Sequence, residues 1–101
     1  MLTLDECQII EGEIDADERT FFTSIQRAIN EGAWTFQGSY GRTMMAAIET
    51  GRCLLGHRAF LDAYGNRVPS RHEVLPSAKG SREFVLKAHG AEWAEAMATI
   101  E

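Results

Sequence analysis

The run Phe60-Leu61-Asp62-Ala63-Tyr64-Gly65-Asn66-Arg67-Val68-Pro69-Ser70-Arg71-His72-Glu73-Val74 compresses a strand, a turn, a second strand and a helical start into fifteen residues. Gly65-Asn66 is a turn pair, because both residues accept positive φ cheaply, as a tight hairpin turn requires. Pro69 ends the second strand, since it lacks the N–H that a ladder needs. Ser70 with Glu73 three residues on has the form of a capping box for a short helical turn. Helical sequence flanks this run on both sides, which predicts an α+β fold: a single helix-rich domain over residues 1–101 with a small antiparallel sheet.

Upstream, Thr3-Leu4-Asp5-Glu6 is a capping box opening a first helix over 4–11, which Gly12 ends. Asp15 is read as the cap of a second helix over 16–31, with Asp17 and Glu18 in its first turn. Phe21, Phe22, Ile25, Ala28 and Ile29 form one apolar stripe, and Gly32 closes the helix. Ala33-Trp34-Thr35-Phe36-Gln37 alternates and reads as a short strand or extended link. Gly38-Ser39-Tyr40-Gly41 breaks it, and a helix over 42–50 follows. Arg52-Cys53-Leu54-Leu55-Gly56 reads as a buried strand, so the sheet is expected from 52–68, joined by 33–37. Helices over 81–89 and 91–100 complete the chain. The predicted core is Phe21, Ile25, Ile29, Trp34, Met45, Ile48, Leu54, Phe60, Phe84 and Trp93.

The chain has 101 residues and a net charge of −5, unevenly spread. Residues 1–38 carry eight acids against two arginines, whereas 39–89 carry eight basic residues against four acids. No apolar run is long enough to cross a membrane, and the acidic start lacks the basic region of a signal peptide. Cys7 and Cys53 lie far apart and read as two reduced thiols of a cytoplasmic bacterial or phage protein. His57, His72 and His89 show no zinc-site spacing. Cys53 lies in an apolar run, where burial makes a thiol inert. Gly38-Ser39-Tyr40-Gly41-Arg42 matches no phosphate-loop pattern and reads as a tight turn admitting Tyr40 to the core. No catalytic residue, cofactor or metal is assigned, and the chain is read as a non-enzyme.

The run Asp62–Arg71, then Glu73-Val74, Lys79-Gly80-Ser81 and Phe84-Val85, resembles a pattern in small proteins of phages, prophages and mobile elements of proteobacteria. The similarity begins near Trp34 and Gly38-Ser39-Tyr40-Gly41-Arg42-Thr43-Met44-Met45. In general character the short acidic chain also resembles the anti-CRISPR proteins that inhibit type I surveillance complexes. The resemblance implies a stoichiometric inhibitor that binds a Cas surveillance complex or another host protein and blocks target DNA. Nucleic-acid machines hold their substrates in basic channels, and an acidic surface is steered there by the same field. On that view Glu11, Glu13, Asp15, Asp17 and Glu18 face the partner, with Tyr40 and Tyr64 as aromatic anchors. The alternative is a small nucleic-acid-binding regulator using the Arg42–Arg71 region.

Overall fold

The computed structural model describes residues 2–36 and 40–101. Among these residues the chain forms five helices, α1 (Leu4–Ile10), α2 (Glu18–Glu31), α3 (Tyr40–Glu49), α4 (Arg82–His89) and α5 (Ala91–Ala98), and one hairpin of β1 (Phe60–Leu61) and β2 (Arg67–Val68). The fold is therefore α+β and helix-rich, with a two-stranded antiparallel sheet.

Local sequence signals set most helix ends. Thr3 and Glu6 cap α1 reciprocally, the Glu6 N–H donating to Thr3 Oγ1 at 3.1 Å and the Thr3 N–H to Glu6 Oε1 at 2.9 Å. The second helix starts later than expected, and Asp17 caps it in place of Asp15, accepting from the Thr20 N–H at 2.7 Å. The cause is the way α1 ends. The N–H groups of Gly12, Glu13 and Ile14 fold back onto the carbonyls of Ile9 and Gln8, so the chain is not free to begin a new helix at residue 16. Gly32 stops α2 in the left-handed region at φ 79°.

The strand expected over 33–37 is a 3-10 turn, Ala33–Thr35; Gln37 lies outside the described residues, as does the Gly38-Ser39 part of the proposed tight turn. Ala33 and Trp34 are both buried, and neighbours on a strand would point to opposite faces. The segment 52–55 is no strand either, although it is as buried as expected. Its backbone is paired elsewhere: the Arg52 and Cys53 N–H groups donate to the Ala47 carbonyl, and the Leu55 N–H donates to Gly80 O at 3.0 Å. Gly80 makes this contact at φ +91°, where an added Cβ would lie 2.5 Å from Leu55 Cγ.

The hairpin pairs Phe60 with Val68 and Leu61 with Arg67. Its turn is wider than the two-residue Gly65-Asn66 reading. Gly65 has φ 81° but Asn66 does not follow it into positive φ. Instead the Asp62 carboxylate accepts from the N–H groups of Tyr64 at 2.9 Å and Asn66 at 2.8 Å, an Asx closure of the loop. Ser70 and Glu73 form half of the expected box: the Ser70 N–H donates to Glu73 Oε2 at 2.8 Å, and a single turn, not a helix, follows.

Ile25, Ile29, Trp34, Ile48 and Leu54 lie in the core as expected, with Phe21, Phe60 and Trp93 partly buried against it. Met45 does not: it is 40% exposed while Met44 is fully buried. On α3 the inward face is Tyr40, Met44, Ala47 and Ile48, spaced four, three and one, and Met45 falls one position round. Phe84 is only half-buried, and Val85 is the fully buried residue of α4.

Inside this apolar core runs a polar network. Gln26 is fully buried on α2, and its amide works as a strand edge would: Oε1 accepts the Leu54 N–H at 2.8 Å while Nε2 donates to Leu54 O at 3.0 Å. Nε2 also reaches Asn30 Oδ1 at 3.1 Å, and Asn30 Nδ2 donates to Ile100 O at 2.9 Å. Arg71 completes it, with Nε on Leu55 O at 2.7 Å, Nη2 on Asn30 Oδ1 at 3.2 Å and Nη1 on Ala98 O at 3.4 Å. Gln26→Ala strands both Leu54 backbone groups in the core. It should lower unfolding free energy by about 3 kcal/mol, as read by urea denaturation.

Glu73 adds a pH dependence. The Ser70 N–H, the Arg67 guanidinium and the Ser70 hydroxyl, in that order, hold its carboxyl down from 4.5 to about 2. A depressed carboxyl stabilises the fold fully above its unfolded pKa and loses that contribution as pH falls through the folded one. Thermal midpoints of the native protein should therefore fall more steeply than those of Glu73→Gln between pH 4.5 and about 2.

Candidate functional site

A cleft of about 600 Å³ opens between the 3-10 turn, α3 and the hairpin, lined by Trp34, Phe36, Arg42, Met45, Tyr64 and Val68 among others. Each element brings its residue there for a local reason. The turn after Gly32 swings Trp34 inward, α3 presents Met45 on the shoulder of its buried face, and the Asx loop lifts Tyr64 at the hairpin tip. Phe36 is 49% exposed, Met45 40% and Tyr64 90%, so three large apolar side chains meet solvent around one concavity. Exposed apolar surface gathered at one concavity marks a binding site more often than scattered residues do.

Two polar features accompany the apolar lining. Trp34 is nearly fully buried, and among the described residues its indole Nε1–H has no acceptor. Buried donors are seldom left unpaired, so this one is a cost that the fold carries beside the cleft. Arg42 is exposed, and no described carboxylate lies within ion-pair distance of it. The Asp62 carboxylate, also at the cleft, is already engaged by the hairpin loop.

The acids singled out from sequence are all exposed, but they do different work. Asp17 caps α2; the Thr20 side chain, then the Thr20 N–H, hold its carboxyl below the usual range, with Arg19 helping. Glu18 pairs with Arg52, whose guanidinium also lies over the rings of Phe22 at 5.1 Å and Trp93 at 5.4 Å. Glu11 accepts from the Tyr40 hydroxyl at 3.1 Å. Glu13 and Asp15 lie between, in the exposed α1–α2 connector with no cation within ion-pair distance among the described residues.

Tyr40 is not placed as a partner-facing anchor. It is 6% exposed, and burial, then the Cys7 and Glu11 contacts, push its hydroxyl up, leaving a neutral donor inside the domain. Its ring lies 5.3 Å from that of Phe36, so Tyr40 joins the acidic connector to the cleft. Tyr64 is as accessible as an anchor must be.

Sequence spacing missed a second concavity, of about 350 Å³, lined by Leu54, His57, Arg71, His72, Arg82 and Ala98. The two imidazoles stack at 6.3 Å with 29° between their planes. Burial lowers the Arg71 guanidinium from its ordinary pKa, against the opposing influence of Cys53. No spacing rule joins residues 57, 71 and 82; only the fold of the hairpin base does. Among the described residues, no three His, Cys, Asp or Glu side chains are placed to hold a metal ion. Among the described residues, no helix is long and apolar enough to cross a membrane.

Comparison with family models, with curated proteins and with solved structures gives no match to this chain.

Cys53 is fully buried, its thiol directed at Phe22 O at 3.6 Å, and burial pushes the thiol up despite the nearby charges of Arg52 and Arg71. Cys7 is half-buried. A disulfide reagent should therefore modify Cys7 in the folded protein and reach Cys53 only on unfolding, as mass spectrometry of timed samples would report.

Proposed function

We propose that this chain is a stoichiometric protein-interaction module that acts by occupying a larger nucleic-acid machine, without chemistry of its own. The observation that carries the reading is the apolar cleft with the exposed side chains of Phe36, Met45 and Tyr64 gathered around it. A protein segment supplies what such a cleft lacks: an apolar side chain to fill it and cover the exposed rim. Tyr64, Met45, Trp34 and Arg42 are also the residue types that concentrate binding energy at interface centres. Beside the cleft, and linked to it through Tyr40, the connector holding Glu11, Glu13 and Asp15 presents negative charge to a basic partner.

The partner that fits this pairing is the positively charged nucleic-acid channel of a host complex in the bacterial cytoplasm. The phage-like residue pattern points to a type I CRISPR surveillance complex, whose target-DNA binding the protein would block. Asp17 and Glu18 are left out of the contact surface, because one caps α2 and the other pairs with Arg52. A second reading, a small nucleic-acid-binding regulator using Arg42–Arg71, is favoured by the exposed guanidinium groups of Arg42 and Arg58. Strongly salt-sensitive binding of the purified protein to random duplex DNA would select it over the first.

The test is target-DNA binding by purified type I complexes with and without the protein. Tyr64→Ala should weaken the complex about tenfold with the fold intact, acting through dissociation. Glu13→Lys with Asp15→Lys should instead slow association by about tenfold at low salt. A panel of such complexes that neither binds the protein nor loses DNA affinity would sink the proposal.

A further inference from the structure

We infer that the concavity at the hairpin base is a binding site for a phosphate-type oxyanion, held between Arg71, His57, His72 and Arg82. This goes beyond the docking role and uses a different surface. The lining contains two guanidinium groups and two imidazoles and no carboxylate, in a chain whose overall charge is negative. Its volume of about 350 Å³ accommodates a tetrahedral oxyanion together with water.

Arg71 is the centre of the argument. It is withdrawn from solvent in part, yet all three of its hydrogen bonds go to neutral acceptors: Leu55 O, Asn30 Oδ1 and Ala98 O. No described carboxylate lies within ion-pair distance of it, and a guanidinium offers five N–H donors, so two remain unspent. A partly buried cation without a counterion is costly, and an anion supplied from solution relieves that cost. The guanidinium is fixed here by three bonds, and its remaining N–H groups are donors of the kind that contact phosphate oxygens.

The surrounding groups point the same way. His57 and His72 lie face to face, neither within ion-pair distance of a described carboxylate, so the in-plane N–H groups at their edges are available to an anion at the rim of the hollow. His57 Nε2 lies 3.2 Å from the Ile100 carbonyl, which orients that ring. Arg82 is shared, because its guanidinium also engages Glu95 on α5, outside the lining. Among the described residues Glu95 is thus the one acid ion-paired to a lining residue, and it gives the site a handle that leaves the core untouched.

The experiment is a titration of the full-length 15N-labelled protein with inorganic phosphate at constant ionic strength, following the Arg71 Nε–H and the two imidazoles by NMR. Saturable shifts confined to these groups are expected. Glu95→Gln, which releases Arg82, should tighten binding about threefold, and His72→Gln should weaken it by a similar factor. Arg71→Lys should cost tenfold or more, roughly, but it also disturbs the core, so the two surface variants decide. A dinucleotide with and without a terminal phosphate separates the sources: preference for the phosphorylated form over free phosphate places the anion on a nucleic-acid end, and equal affinity points to free phosphate. Shifts that grow linearly with concentration, or that saturate identically in native, Glu95→Gln and His72→Gln proteins, overturn the site.

Discussion

The fold depends on the pairing of the Gln26 side chain with the backbone of Leu54. The segment 52–56 crosses the interior outside any helix or strand, yet its backbone groups are largely buried and must be paired. A helix cannot offer a strand edge, since its own carbonyls and N–H groups are spent within it. A primary amide can: it carries one acceptor and two donors in a plane, and Gln26 gives Leu54 both bonds while its second N–H serves Asn30. One side chain from α2 therefore does for Leu54 what a strand edge would do in a sheet.

That choice propagates outward. Asn30 sits one turn further along α2, and with its oxygen filled by Gln26 and Arg71 its nitrogen is turned to the chain end at Ile100. Arg71, arriving from the turn after the hairpin, then binds residues 55 and 98 as well. The network joins α2, the buried crossing, the hairpin base and the end of α5, elements far apart in sequence. It also fixes where the two concavities stand. The hairpin leaves its anchor at Arg71 and reaches out to Tyr64, so the cationic hollow lies at its base and the apolar cleft at its tip. A partner gripping Tyr64 would thus hold a loop whose root is tied into the core.

What was legible in the sequence follows the same division between local and distant causes. Thr3 with Glu6, Gly32 after the Phe21–Ile29 stripe, and Ser81 before Phe84 are signals whose physics acts within four residues, and they set the helices. Asp15 misled because the closing turns of α1 are a distant constraint on where α2 starts. Met45 misled because two adjacent methionines satisfy the same pattern, and only the partners of α3 choose Met44. Nothing local marks Gln26, Asn30 and Arg71 as members of a core network, since a polar side chain on a helix or loop is usually wet. Their places are decided by backbone groups distant in the chain, for Gln26 those of Leu54, 28 residues away, which no window of local sequence contains. Tyr40 was legible as a residue admitted to the core, but not as the bridge between Glu11 and Phe36.

An acidic protein with a cationic hollow is not a contradiction, because the two charges act over different ranges. At physiological salt, exposed charges are screened beyond about 8 Å, so the bare acids of the α1–α2 connector govern encounters with other macromolecules only over short approach distances. Arg71 is shielded differently: it lies partly in low dielectric, where its field is strong but confined to the hollow that it lines. A small oxyanion in the hollow would meet Arg71 together with the more exposed His57, His72 and Arg82. In the folded protein most of the middle basic residues, Arg42, Arg58, Arg67 and Arg82 among them, stay at the surface, and only Arg52 and Arg71 are drawn partly inward. On the proposed readings, the connector acids would meet a basic partner while the half-buried Arg71 holds a small anion.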